Sequence, residues 1–296
     1  MMKQFNISET EKFAAFFKEH GWLHIRNVFS KQEIEDLRAK AYDMQAQNFM
    51  GDILSFEPAS NLVTDDRIIN ILKIILDTNK PVYFGDSSGY NIGKSGGAGF
   101  HKDNPDKTNG QNPDWLGDYS LIRLGIYCQS HVNYSASVSL RDKSQNSVDG
   151  EKGTPFYVNN NAGDLVIWSL RTSHSGNSLR LKFFPDVFVH PKWYNKLPKF
   201  LFKGEEQERI AYFITYGKND HHLRRYLTYL LNREYMVSSW KQSKYSPEVI
   251  EKVKNKKNIA LIDMYEVVKD IDLDKVSKAH KEMPAVMEYF EPRFIE

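Results

Sequence analysis

"GFHKDNPD", residues 99–106, places a histidine and an aspartate one residue apart directly after a glycine-rich stretch. In an extended segment successive side chains alternate faces, so His101 and Asp103 point the same way and offer an imidazole and a carboxylate to one point. The triplet alone decides little. Nine histidines and 20 aspartates in 296 residues give about 0.6 chance occurrences of His-x-Asp (9 × 20/296). Its company in the chain has to decide. A two-histidine, one-carboxylate set occupies one face of an octahedral Fe(II) and leaves sites for a co-substrate and oxygen. A third ligand is therefore sought on a neighbouring strand.

Outward from that motif the middle of the chain reads as short strands. "PVYFGDSSGYNIG" (81–93), "YSLIRLGIYCQ" (119–129), "ASVSLRD" (136–142), "TPFYVNN" (154–160), "GDLVIWSL" (163–170) and "RIAYFITYG" (209–217) are apolar or alternating runs separated by Gly, Asn, Asp and Ser clusters. Six or more such runs suit an antiparallel barrel or sandwich. His20 and His24 precede the runs, His131 follows one as a solvated turn residue, His190 falls in a long loop, and His221, His222 and His280 fall in a helical tail. His174 closes "GDLVIWSLRTSH" and lies 174 − 103 = 71 residues beyond Asp103, room for about four strands of ordinary length. It is the best third ligand.

The flanks read as helical. "SETEKFAAFFKEHGW" (8–22) has a Ser8 cap with Glu11 three residues on, and Gly21 ends that helix. "WLHIRNVF" reads as a strand, and "SKQEIEDLRAKAYDM" restarts a helix behind Ser30. "NDHHLRRYLTYLLNREYMVSSW" (219–240), "SPEVIEKVKNKK" (246–257) and "DLDKVSKAHKEMPAVMEYF" (272–290) carry helical periodicity. Residues 175–207 form a loop long enough to be functional or a lid. A single domain over 1–296 is expected, with a core of about 12–217 and a helical C-terminal extension of about 218–296.

Composition excludes several classes. A net charge of +2, from 40 basic and 38 acidic residues, gives no general call for nucleic acid. Cys128 is the one cysteine, which excludes an internal disulfide and a cysteine-based zinc site. The expectation is an intracellular, cytoplasmic chain with no secretory leader, no transmembrane helix and no membrane or nucleic-acid partner. Residues 171–203 carry Arg171, Arg180, Lys182, Lys192, Lys196, Lys199 and Lys203 against Asp186 alone, a flap suited to an anionic small-molecule substrate or to plain solvation.

A 2-oxoglutarate oxygenase also needs a planar cation for the far carboxylate of its co-substrate, and arginine matches that geometry. Arg209 opens the last strand, whereas its rival Arg180 follows His174 by six residues inside the loop. A strand positions its side chain more rigidly, which favours Arg209.

Taken in order, "FKEHGWLHIRNVFSKQEIEDLR" (17–38), "GFHKD", "IRLGIYCQ", "GDLVIWSLRTSHSGN" and "RIAYFITYG" resemble the phytanoyl-CoA dioxygenase-like family of Fe(II)/2-oxoglutarate oxygenases. The resemblance implies a double-stranded β-helix (jelly-roll, cupin-like) core with helical flanks. It implies iron at His101, Asp103 and His174, with 2-oxoglutarate at Arg209 and Tyr127 facing the co-substrate. The implied reaction consumes O2, releases succinate and CO2, and hydroxylates a small-molecule substrate. The carboxylate at Asp103 favours hydroxylation, because related halogenases lack it to make room for halide. Three departures stand out: Arg209 lies 209 − 174 = 35 residues past His174, beyond the inserted loop; "RDKSQNS" (141–147) replaces the "PGSH"-like turn common before the distal strand; and the tail past 218 has no counterpart. A cupin-like metal-binding protein without oxygen chemistry (an isomerase, hydrolase or sugar-binding protein) and a zinc hydrolase on the same three ligands stay open as other classes.

Overall fold

The structure is a computed structural model that describes residues 3–86, 89–93, 99–176, 178–276 and 288–295. The described strands are β1 (Phe5–Asn6), β2 (Trp22–Arg26), β3 (Val82–Tyr83), β4 (Gly89–Ile92), β5 (Ile122–Tyr127), β6 (Ser139–Asp142), β7 (Thr154–Tyr157), β8 (Leu165–Ser169), β9 (His174–Ser175), β10 (Ile210–Gly217) and β11 (Ala260–Leu261). The helices are α1 (Phe13–His20), α2 (Lys31–Ala46), α3 (Asp66–Leu76), α4 (His221–Leu231), α5 (Glu234–Lys241), α6 (Pro247–Lys256) and α7 (Met264–Val268). All six strand-like runs of the middle contain strands, shorter than the runs themselves, in a mixed, sheet-rich architecture with helices.

The chain divides into two units. The first holds residues 1–41, 90–103 and 124–212, the second 42–89, 104–123 and 213–296, so the division falls inside β5 and β10. In the first unit the strand order is β1-β2-β8-β5-β10. β2 runs antiparallel to β8 with Trp22 opposite Trp168 and His24 opposite Val166. His24 is thus part of the sheet and does not precede it as the sequence suggests. Its Nε2 lies 2.8 Å from the buried Asp164 carboxylate, which also accepts the backbone N–H groups of Asn27 and Asn161 and so ties a turn together. A second sheet has the order β7-β6-β9.

Helix entries and exits follow local chemistry. Ser30 Oγ accepts from Glu33 N while Ser30 N donates to Glu33 Oε2, the reciprocal capping box expected there. The Ser8 cap does not form. Asn6 N donates to Glu9 Oε2 instead, and a 3-10 turn at Thr10–Lys12 precedes α1. Gly21 ends α1 with φ +78°, as expected, and a Cβ there would lie 2.6 Å from Gln145 Oε1 and 2.7 Å from Thr172 Oγ1. Only glycine meets both demands.

The second unit pairs β3 antiparallel with Tyr216–Gly217 of β10 and parallel with β11. α3 has no counterpart in the sequence reading, yet it buries Ile68, Ile69, Ile71, Leu72 and Leu76 on one face. "NDHHLRRYLTYLLNREYMVSSW" forms two helices, because Arg233 takes an extended backbone (φ −126°) between α4 and α5. The expected helix over 272–290 lies mostly outside the described residues, and Leu273–Lys275 forms a 3-10 turn.

Candidate metal centre

His101 and His174 face each other across an isolated antiparallel β-bridge, exchanging His101 N→His174 O (3.0 Å) and His174 N→His101 O (2.9 Å). Two residues on, Asp103 N donates to Leu170 O at 2.9 Å. Residues 101–103 therefore run as an extra edge beside β9, which pairs on its other side with β6, Leu140 opposite His174. Alternation along this edge carries His101 and Asp103 to one face, as the sequence pattern requires.

Lys102 takes the opposite face. Its ammonium is buried and donates to Ser144 O and Arg171 O, each at 2.7 Å. Burial pushes its pKa down to about 7. Lys102 is an anchor that the sequence reading passed over, although the alternation that joins His101 to Asp103 also sends the residue between them inward.

The donor atoms converge. His174 Nε2 lies 3.4 Å from Asp103 Oδ2, and His101 Nε2 lies 3.9 Å from Asp103 Oδ1. All three ligand atoms fall within 4.8 Å of one another. Each imidazole also has its other nitrogen held: His101 Nδ1 donates to Gly99 O at 3.0 Å and His174 Nδ1 to Thr172 O at 3.1 Å. A carbonyl only accepts, so both Nδ1 atoms carry a proton, and the Nε2 atoms are the ones turned towards Asp103. Two imidazole nitrogens and a carboxylate oxygen form a donor set that fits a divalent transition metal.

The surroundings fix these ligands. The turn from β8 into His174 is pinned by Ser169 N→Gly21 O (3.0 Å) and Thr172 Oγ1→Gly21 O (2.6 Å). The Trp168 ring lies 5.7 Å from that of His174. On the other flank Phe100 stacks on Phe188 at 6.1 Å and lies under the Arg141 guanidinium at 4.8 Å.

The two arginines are both buried, in different settings. Arg209, just ahead of β10, donates through Nε to Ala136 O (3.0 Å) and through Nη1 to Asn91 Oδ1 (2.7 Å). Its guanidinium carbon lies 5.8 Å from the centre of the Tyr127 ring on β5. Burial pushes the Tyr127 hydroxyl up to about 12, so it is a neutral donor at ordinary pH. Arg180 stacks on Tyr157 at 4.3 Å, with Nη2 on Asn159 Oδ1 and Nη1 on Pro185 O (3.4 Å). It braces the loop that contains it.

His131 departs from its expected place as a solvated turn residue. It is 1% exposed, with Nδ1 at 2.9 Å from Asn160 Oδ1 and Nε2 at 3.2 Å from Gln129 Nε2, and its ring stands edge-on to Tyr127 at 5.0 Å. Burial pulls its pKa down to about 4, and it is neutral. Among the described residues a second group, Asp220, His221 and His222, also brings three potential ligand atoms within 4.8 Å. Asp220 Oδ1 there caps α4 through His222 N and Leu223 N.

No family model matches the sequence, and no curated protein matches it. Among solved structures the chain is similar to SnoK, a non-heme alpha ketoglutarate dependent carbocyclase from nogalamycin biosynthesis, at 16% identity and a TM-score of 0.48, covering 73% of this chain and 90% of that one. It is similar to the epimerase SnoN of the same biosynthesis at 14% identity and a TM-score of 0.47, covering 71% and 82%. It is similar to HygX from Streptomyces hygroscopicus, solved with nickel and 2-oxoglutarate bound, at 14% identity and a TM-score of 0.46, covering 69% and 85%. Likenesses this distant leave the chemistry to the side chains of this chain.

Proposed function

We propose that the chain is an Fe(II)- and 2-oxoglutarate-dependent dioxygenase that hydroxylates a small-molecule substrate on a double-stranded β-helix (jelly-roll) core, with iron held by His101, Asp103 and His174. One observation carries the proposal: two imidazoles whose Nδ1 protons are committed to Gly99 O and Thr172 O turn their Nε2 atoms onto one carboxylate. When bound, the iron would supply oxygen activation coupled to decarboxylation of 2-oxoglutarate to succinate and CO2.

The chain's own residues supply position. Lys102 locks the strand that carries His101 and Asp103, and Gly21 locks the turn that carries His174. Arg209, held by Ala136 O, Gly93 O and Asn91, is assigned the distal carboxylate of 2-oxoglutarate in this reading, with the neutral Tyr127 hydroxyl beside it. Arg180 is the weaker choice, since it lies inside the loop it braces and not at the start of a strand. Phe100, Phe188 and Arg141 would form an aromatic and cationic wall beside the metal.

Anaerobic titration with Fe(II) and 2-oxoglutarate tests the reading. The expected result is a weak visible metal-to-ligand charge-transfer band, lost in His174→Ala, with Asp103→Ala folded but inactive in succinate release. Iron binding without that band would show that the co-substrate site is misassigned, and full activity in Asp103→Ala would refute the metal centre.

A further inference from the structure

The 175–207 loop has a face that the oxygenase reading does not use. Its base is closed by Lys203 N→Arg180 O (2.8 Å) and Lys182 N→Leu201 O (2.9 Å), with Leu181 bridged to Phe202. Its interior is a small core of Val189, Tyr194 and Phe202 packed against Leu179, Leu181 and Leu197. Those apolar residues are spent on folding the loop. Five others point out: Phe183 (79% exposed), Phe184 (65%), Val187 (54%), Trp193 (45%) and Phe200 (70%). They are nearly half of the large exposed hydrophobics among the described residues, gathered into 18 positions. Phe183 and Phe200 each lie two residues beyond the Leu181–Phe202 bridge, on opposite arms of the loop.

The charge of this segment is as one-sided as its apolarity. Between 181 and 203, the stretch that carries the exposed rings, it has Lys182, Lys192, Lys196, Lys199 and Lys203 against Asp186, with Glu205 and Glu206 following at the base of the loop. Lys192 and Lys196 flank Trp193, their ammonium groups 6.0 and 4.9 Å from its ring. Protruding Phe and Trp among lysines is the composition of a surface that beds into lipid headgroups: the rings enter the acyl boundary and the ammoniums meet anionic phosphates.

We propose that the tip of this loop docks the protein on an anionic phospholipid bilayer. A peptide partner is gripped in a groove or along a strand edge, whereas side chains exposed to 65–79% stand outside any groove. Lysine, a point charge on a flexible stem, suits headgroup phosphates better than a fixed bidentate partner. The surface extends the sequence reading of a basic flap for an anionic small molecule, and it differs from the expectation of no membrane partner. That expectation rested on the lack of an apolar run long enough to span, and none of the described helices is long and apolar enough to cross a membrane. The same loop reaches the candidate metal centre, since Phe188, next to exposed Val187, stacks on Phe100 beside His101.

Co-sedimentation of the full chain with vesicles tests the proposal without iron or 2-oxoglutarate, so its outcome is independent of the oxygenase reading. Binding is expected to vesicles of phosphatidylcholine with phosphatidylglycerol, to be far weaker to phosphatidylcholine alone, and to fall as salt shortens the Debye length from about 10 Å at 0.1 M to about 3 Å at 1 M. Phe183→Ser with Phe184→Ser is expected to weaken it roughly tenfold or more. Each of Lys192→Gln and Lys196→Gln is expected to weaken it about fivefold. Tyr235→Ser, exposed in the second unit, is the control expected to bind as the unaltered chain does. All of these side chains are exposed, so unchanged circular dichroism is expected. No sedimentation with the anionic vesicles, or equal sedimentation of the double phenylalanine variant, would overturn the proposal. A lipid-free dimer that Phe183→Ser dissolves would assign the face to a second copy of the chain instead.

Discussion

Arg209 and Arg180 present the same side chain in two settings, and what each touches separates their effects. Arg209 is oriented by Ala136 O and Asn91 over the Tyr127 ring, so Arg209→Ala removes a positioned cation while β10 keeps its strand. A carboxylate that loses its buried partner costs roughly 3–5 kcal/mol, so the 2-oxoglutarate requirement should rise by about two to four orders of magnitude. Arg180→Ala should instead lower the stability of the loop with little change in that requirement, since Arg180 braces Tyr157, Asn159 and Pro185. A reversed pair of outcomes in steady-state assays would exchange their roles. His131 carries a second prediction at this scale. Its pKa in the fold, about 4, lies below the ordinary 6.5, so the folded state resists its protonation. The stability it contributes is complete above pH 6.5 and is lost as pH falls through about 4. A difference of about 2.5 pH units corresponds to about 3 kcal/mol. Urea unfolding at pH 7 and pH 4 should show that loss in the native chain, and His131→Gln should flatten it. The sequence showed His131 as a polar residue after a strand. Its burial depends on Asn160, 29 residues away, and no local pattern reports that.

At the scale of elements, local periodicity made some pieces legible and left others hidden. β5, β8 and β10 were readable because each is a short apolar run between turn residues, and the Ser30–Glu33 box announced α2. α3 was missed because "DRIINILKIIL" is dominated by isoleucine, whose β-branching suits strands as well as helices. The edge at 101–103 was legible in part. Alternation joins His101 to Asp103, but the two carbonyls that hold Lys102 come from Ser144 and Arg171, far along the chain. Lys102→Met should leave the buried Arg171 O without that donor, at about 1–3 kcal/mol, while Ser144 O keeps the Ser147 N–H. The strand would then hold both ligands loosely. Metal affinity should fall roughly 10–100-fold, the range seen when the supports of ligands are removed, as read by Co(II) titration in the visible. Gly21→Ala attacks the other ligand's support. It forces a Cβ into a left-handed backbone 2.7 Å from Thr172 Oγ1. A loss of about 1–3 kcal/mol is expected, measured by thermal melting, together with weaker metal binding through the turn before His174.

At the scale of the whole molecule, every residue assigned to the metal and co-substrate lies in one of the two units: His101, Asp103, Tyr127, His174 and Arg209 all fall within 90–103 or 124–212. No pattern in the sequence marks that division, because the second unit is assembled from three separated segments and only its helical tail has a readable period. The division makes metal binding a test with spatial content. A ligand that binds only the folded chain stabilises it by RT ln(1 + [L]/Kd), about 2.7 kcal/mol at a hundredfold excess over Kd. For a chain of this size that is a rise of roughly 4 °C in Tm. Anaerobic Fe(II), or Co(II) as a stable substitute, should produce such a rise, and His174→Ala should abolish it. Hydrogen exchange should slow at 99–103, β6 and β9, which share the edge that carries the ligands, while α4 to α7 keep their rates. Protection centred on Asp220–His222 instead would move the metal to the second cluster. Zinc should also raise Tm, because affinity for a nitrogen and oxygen site rises along the first transition row and does not choose iron. Turnover makes that choice: 2-oxoglutarate-dependent succinate release is expected with Fe(II) and not with Zn(II), whereas hydrolytic turnover supported by Zn(II), with no succinate released under Fe(II), would make the same three side chains the ligands of a zinc hydrolase.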